Sequence, residues 1–106
     1  MDARKRKRLE AAGWTVGDAK TLLNLTAEQA ALVEMRLVLS RALRQRRQHA
    51  GLTQTALAKQ LGSSQSRVAK LEAADASVSL ELLVRALLTI GATRKEVAAA
   101  LGRRVA

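Results

Sequence analysis

The choice of apolar residues is the feature that most constrains the fold of this chain. Of its 106 residues, 21 are Ala and 18 are Leu, whereas Phe, Tyr and Pro do not occur and Ile occurs once. Ala and Leu are strong helix formers, and the aromatic and β-branched residues that favour strands are scarce. Apolar residues make up 48% of the chain, which is ordinary for a globular protein. The composition therefore predicts an all-α protein, and the length of 106 residues allows one small domain.

The same composition excludes several classes of function. Without cysteine the chain has no disulfide framework, zinc finger or thiol nucleophile. A single histidine, His49, and nine scattered carboxylates predict no metal site and no cofactor. No spacing of Ser, Lys and His suggests a nucleophile with its base, so we do not expect an enzyme. No apolar run reaches the ~18 residues that span a bilayer, and no apolar signal segment follows the basic start. We therefore expect a cytoplasmic, nucleoid-associated protein with no membrane partner.

Glycines and helix-capping residues divide the chain into predicted helices. Thr26 with Gln29, and Thr93 with Glu96, have the spacing of a capping box, in which each residue bonds the backbone N–H of the other. Helices are predicted at residues 2–12, 19–24, 27–50, 54–61, 65–73, 80–90 and 94–101. The segmentation predicts a basic helical arm over residues 1–35, a helical domain over 36–101 and a short tail over 102–106.

Positive charge is concentrated in the middle of the sequence. The formal net charge is +10, which favours a polyanionic partner. Between Glu34 and Glu72 lie 37 residues with no Asp or Glu and eight basic side chains: Arg36, Arg41, Arg44, Arg46, Arg47, Lys59, Arg67 and Lys70. A solvated surface usually mixes both signs of charge. A phosphate backbone, which each cation can neutralise with release of counterions, accounts for this stretch better than a solvated face does.

Two short helices within this stretch have the pattern of a helix-turn-helix. Residues 52–72 place two helices of eight to nine residues around the turn Gly62-Ser63-Ser64. Apolar residues form the inner faces of both helices: Leu57, Ala58 and Leu61 in the first, Val68 and Leu71 in the second. Gly62 can adopt the positive φ that such a sharp turn requires. In this motif the second helix enters the major groove of DNA.

The segment 39–91 resembles the phage-repressor and Cro-type helix-turn-helix family, also called the xenobiotic-response-element family. The matching motifs are Gly51-Leu52-Thr53-Gln54, Leu57-Ala58, Leu61-Gly62, Ser64-Gln65-Ser66-Arg67-Val68, Leu71-Glu72, Leu80-Glu81 and Ile90-Gly91. The resemblance implies a compact bundle of five helices that binds double-stranded DNA, here preceded by an N-terminal helical arm.

The resemblance also implies roles for individual residues. Base edges are expected to be read by Gln65, Ser66 and Lys70, with Gln suited to adenine and Lys to guanine. Phosphates are expected to be bound by Thr53, Gln54, Ser64, Arg67 and Arg47. Arg47 and Glu72 occupy the positions of an ion pair that ties two helices together in the family.

One position departs from the family pattern. The family commonly has Gly two residues after the glutamate that ends the recognition helix, whereas this chain has Ala74. A left-handed alanine costs on the order of 1 kcal/mol. The departure predicts a recognition helix that continues toward Asp75, whose charge would repel phosphate, and it makes contacts of Ser77 with DNA doubtful.

Several functions are compatible with these features. The leading hypothesis is a dimeric repressor that reads a palindromic operator with the helix over residues 65–73. An alternative is the antitoxin of a toxin–antitoxin pair, because the arm joined to a small domain is similar to HigA-type antitoxins, which bind RelE-like (HigB-like) toxins. A third is a basic protein that coats DNA or membrane surfaces without specificity. Candidate residues for a dimer or toxin interface are Trp14, Leu32, Val33, Leu82 and Leu88.

Overall fold

The computed structural model describes residues 25–103, and the regular secondary structure of that range is entirely α-helical. Its five helices are α1 (Ala27–His49), α2 (Gln54–Leu61), α3 (Gln65–Glu72), α4 (Leu80–Thr89) and α5 (Arg94–Leu101). The all-α fold class and the five-helix bundle are thereby confirmed. The two short helices predicted at 2–12 and 19–24 lie outside the described residues.

Backbone contacts divide the chain into two units, and the second of them is Met35–Arg103. The described part of the first unit is residues 25–34, which contains the first turns of α1. There the predicted capping box is present: the Gln29 side chain accepts from the Thr26 N–H at 2.9 Å, and Thr26 Oγ1 accepts from the Gln29 N–H at 3.2 Å. These reciprocal bonds satisfy two amides that a helix start otherwise leaves unpaired, so they fix where α1 begins.

Met35–Arg103 has one hydrophobic core to which all five helices contribute. The buried residues are Leu39, Leu43, Leu57, Ala58, Val68, Leu71, Val78, Leu83, Ala86, Leu87, Ala92, Val97 and Ala100. The inner faces expected for the two short helices are confirmed, with Leu57 and Val68 fully buried and Leu61 packed against the core. Since Val68 and Leu71 face inward, Gln65, Ser66, Arg67 and Lys70 are left on the outward side of α3.

The turn between α2 and α3 has the conformation expected of a helix-turn-helix. Gly62 has φ +64°, in the left-handed region, and lets the Ser63 N–H reach the Ala58 carbonyl at 2.9 Å. Ser64 then caps α3, its hydroxyl accepting from the Arg67 N–H at 3.2 Å. Within the described residues, α2 and α3 are the most closely packed pair of helices. The motif therefore presents α3 as a fixed unit on the surface of the bundle.

The expected extension of α3 toward Asp75 is wrong. The helix ends at Glu72, and Ala74 adopts the left-handed conformation with φ +54° in spite of its Cβ. Local hydrogen bonds offset the steric cost of this conformation. The Asp75 N–H donates to the Lys70 carbonyl at 3.1 Å, and the Ala74 N–H donates to the Leu71 carbonyl at 3.3 Å. The same conformation also brings Val78 into the core, where its exposed fraction is 4%. Burial of an apolar side chain outweighs the cost of one strained alanine.

Arg46 connects α1 to the turn between α4 and α5. Its Nη1 lies 2.9 Å from Glu96 Oε2, and its Nε and Nη2 donate to the carbonyls of Ile90 and Gly91 at 3.3 and 2.8 Å. Arg46 belongs to the acid-free stretch that the sequence associates with phosphate. In the structure its guanidinium instead links α1 to the turn before α5.

Candidate nucleic-acid interface

The outward surface of α3 carries the residues expected to read bases. Gln65, Ser66, Arg67 and Lys70 are all exposed, since Val68 and Leu71 take the inward positions of this eight-residue helix. Gln65 and Ser66 lie in the first turn and Lys70 in the last. The structure thus brings the three predicted base-reading residues onto one exposed helix, along with the cation of Arg67.

Two hydroxyl groups lie at the N-terminus of α3. Ser64 and Ser66 lie side by side with their oxygen atoms 3.2 Å apart, and the Ser64 oxygen also accepts the capping bond. The first backbone N–H groups of a helix have no partner within it, and the helix dipole makes this end attractive to anions. These features suit Ser64 to a phosphate of the DNA backbone.

Gln54 and Gln65 open α2 and α3 and meet through their side chains. The Gln65 amide nitrogen donates to the Gln54 amide oxygen at 2.7 Å, and the Gln54 nitrogen donates to Glu72 Oε1 at 3.2 Å. One hydrogen of each amide nitrogen and the oxygen of Gln65 are left for other partners. The contact therefore limits the rotation of Gln65 without removing its capacity to bond a base.

Arg47 and Glu72 form a buried ion pair that supports Gln54. Arg47 Nε and Nη2 donate to the two carboxylate oxygens of Glu72, the second bond at 2.9 Å, and Nη1 donates to the Leu52 carbonyl at 2.8 Å. The side chains are only 12% and 4% exposed. Hydrogen bonding to Glu72 raises the pKa of Arg47 above its usual value, so the guanidinium stays charged. This burial speaks against the phosphate role expected for Arg47 and assigns it to the ion pair.

The contacts form a continuous series from the core to the surface. It runs from Arg47 through Glu72 and Gln54 to Gln65, and each step is a hydrogen bond. Sequence reasoning found the ion pair through the resemblance but missed the contact between the two glutamines. The available signal was that glutamine occupies the first position of both helices of the motif.

A further expected phosphate contact, Thr53, directly precedes Gln54 in the sequence. Thr53 is exposed at the start of α2, where its hydroxyl oxygen accepts from the Ala56 N–H at 3.0 Å and keeps its own hydrogen for an acceptor. Three other cations of the acid-free stretch are exposed as well: Lys59 on α2, and Arg41 and Arg44 on α1.

The candidate interface residues fall into different environments. Leu88 on α4 is 43% exposed, whereas its neighbour Leu82 is half-buried and packs against the core. In the other unit Leu32 is 48% exposed and Val33 is half-buried. Trp14 lies outside the described residues.

The described residues offer neither a metal site nor a membrane span. Residues 25–103 contain no group of three or more His, Cys, Asp or Glu side chains that could hold a metal ion. None of their helices is both long and apolar enough to cross a membrane.

Comparison with known proteins agrees with this geometry. A family model described as a helix-turn-helix domain matches residues 38–103, which is more than half of the chain. The comparisons with curated proteins and with solved structures give no match. The matched range contains α2, the glycine turn, α3 and the ion pair beneath them. The chain therefore belongs to the helix-turn-helix family of DNA-binding proteins.

Proposed function

We propose that this protein is a sequence-specific transcriptional regulator that represses transcription as a homodimer bound to a palindromic operator. The observation that carries the proposal is the position of Gln65, held at the surface end of the contacts that begin at the buried Arg47–Glu72 pair. A side chain whose rotamer is already restricted loses less conformational entropy when it bonds a base. Fixed direction is what reading a base edge requires.

Base reading is assigned to three exposed residues of α3. The amide of Gln65 can bond adenine N6 and N7 together, Lys70 can donate to guanine O6 and N7, and the Ser66 hydroxyl can serve either base. Gln65 and Lys70 are five residues apart, which at 1.5 Å per residue separates them by roughly 7.5 Å along the helix axis. Base pairs are stacked about 3.4 Å apart, so the two residues fit positions about two base pairs apart.

Phosphate binding is assigned to the exposed groups around α3. Arg67 supplies charge, the exposed Thr53 and Ser64 supply hydroxyl groups, and the half-buried Gln54 supplies the free hydrogen of its amide. Such contacts hold the protein in register on the duplex but carry no sequence information. In this proposal residues 36–101 form the DNA-binding domain, and residues 1–35 form an arm available for association with a second copy.

Selection of genomic DNA fragments by the purified protein at physiological salt, followed by sequencing, tests the proposal. Enrichment of a palindrome with half-sites one helical turn apart supports it. Enrichment of a single palindrome before the protein's own gene and a neighbouring toxin-sized reading frame would favour the antitoxin role. Uniform recovery of all fragments would contradict sequence-specific binding.

Substitutions at the proposed reading positions sharpen the test. We expect Gln65→Ala and Lys70→Ala each to cost ~1–3 kcal/mol at the selected site and much less on random duplex. Lys59→Ala is the matched control for Lys70, because it removes the same charge from an exposed position on α2. Equal losses on both duplexes for Lys70→Ala would show a phosphate contact rather than base reading.

A further inference from the structure

Asp75 is a negative charge at the end of the recognition helix. The charged residues from 53 to 79 are Lys59, Arg67, Lys70, Glu72 and Asp75. Glu72 is buried and neutralised by Arg47. Asp75 is exposed and, within residues 25–103, forms no ion pair. Of the two carboxylates in this segment, Asp75 is therefore the one whose charge is exposed to solvent.

Hydrogen bonds hold Asp75 in one place. Its Oδ1 accepts from the N–H of Ser77 at 2.9 Å and from the Ser77 hydroxyl at 2.6 Å. Its own N–H donates to the Lys70 carbonyl at 3.1 Å, which places its backbone against the last turn of α3. The bonds from Ser77, with a smaller contribution from the charge of Lys70, hold the pKa of the Asp75 carboxyl below its ordinary value. The carboxylate is therefore charged at neutral pH, and its orientation is fixed by the two bonds from Ser77.

The two ends of α3 consequently differ in their electrostatics. The N-terminal end has the positive pole of the helix, the Ser64 hydroxyl and the Arg67 cation, and all of these attract phosphate. The C-terminal end combines the negative pole of the helix with Asp75. Lys70 also lies in the last turn of α3, facing outward, and its charge offsets part of the negative charge of Asp75.

We propose that Asp75 keeps the loop of residues 73–77 off the phosphate backbone, so that the N-terminal end of α3 alone anchors this helix to DNA. This inference rests on the proposed function, since it needs α3 to face the duplex. Asp75 then acts as a positioning residue, which opposes every orientation in which the C-terminal end of α3 approaches a phosphate.

Asp75→Asn tests the inference with little risk to the fold. Asparagine keeps the oxygen that accepts from Ser77 and removes the charge. Glu28→Gln is the control, because it makes the same charge change at an exposed position in the first turn of α1. Affinities of the wild type and both variants are measured on the selected operator and on a random duplex, over a series of salt concentrations.

We expect Asp75→Asn to bind both duplexes severalfold more tightly than Glu28→Gln does, and its log–log salt dependence to be steeper by up to about 0.9, the value for one added phosphate contact. Phosphate ethylation interference should show one additional sensitive phosphate for Asp75→Lys. Equal affinities and slopes for Asp75→Asn and Glu28→Gln would overturn the inference, as would weaker binding of Asp75→Asn.

The same measurements separate this inference from the proposed function. If the wild type binds operator and random duplex equally, base reading fails. The difference between Asp75→Asn and Glu28→Gln still decides the role of Asp75. If the wild type binds no duplex at low salt, both proposals fail.

Discussion

At the residue scale, Glu72 carries two functions at once. It neutralises the buried guanidinium of Arg47 and accepts a hydrogen bond from Gln54. The motif pattern is sufficient to predict the ion pair, because the family resemblance specifies both positions. The contact between Gln54 and Gln65 is not predictable in this way, since the rotamers of two long amides depend on the packing of α2 against α3.

We expect Arg47→Leu to lower the free energy of unfolding by about 3–5 kcal/mol, because it leaves the Glu72 carboxylate buried without its cation. Urea denaturation measures this loss. The double variant Arg47→Leu/Glu72→Leu is the control and should recover part of the stability, since it leaves no buried charge. A double variant less stable than Arg47→Leu would contradict the explanation.

We expect Ala74→Gly to raise the free energy of unfolding by about 1 kcal/mol, because glycine adopts the left-handed conformation at this position without steric cost. Ala76→Gly, at an exposed position two residues further on where φ is not positive, is the matched control and should lower stability. Thermal unfolding compares the two variants. Similar effects at both positions would mean that Ala74 is not strained.

At the element scale, helix starts are more predictable than helix ends. The capping boxes predicted at Thr26 and Thr93 are present, and three further helices begin after Thr53, Ser64 and Ser79, whose hydroxyls each accept a backbone N–H. A cap depends on residues within one turn, so the sequence contains all the information. The end of α3 depends on burial of Val78 six residues beyond the helix, which local patterns do not contain.

The attachment of α5 to α1 should weaken in acid. Hydrogen bonds from Thr93 and then the Arg46 guanidinium hold the pKa of Glu96 below its ordinary value of 4.5. A carboxyl group with a lowered folded-state pKa stabilises the fold fully above its ordinary pKa, and this stabilisation is lost as pH falls through the folded value. We expect the wild type to unfold at a higher temperature than Glu96→Gln at pH 7 and the difference to shrink below about pH 4.5. A difference independent of pH would contradict this.

At the scale of the whole molecule, the helix-turn-helix depends on residues close in sequence, whereas the pairing of charges depends on residues far apart in it. The acid-free stretch predicts a surface for phosphate, yet Arg46 and Arg47 are used in ion pairs and only the remaining cations are candidates for DNA. A count of charges along the sequence cannot distinguish these cases, because their carboxylate partners lie 25 and 50 residues away. The spacing of the helix-turn-helix is predictable, since it depends on residues close in sequence.

A dimer on a palindrome needs an apolar surface that the folded monomer leaves exposed, and α4 offers one residue of this kind. Leu88 is 43% exposed, whereas Leu82 packs against the core. We expect Leu88→Glu to leave thermal unfolding at high dilution nearly unchanged but to weaken self-association, measured by sedimentation equilibrium. Leu82→Glu should instead destabilise the monomer, because it places a charge against the core.

Because two linked half-sites bind more tightly than one, Leu88→Glu should also lose affinity for the full operator while keeping its affinity for a half-site. Unchanged self-association of Leu88→Glu would remove α4 from the dimer interface and favour the exposed Leu32 of α1 in its place.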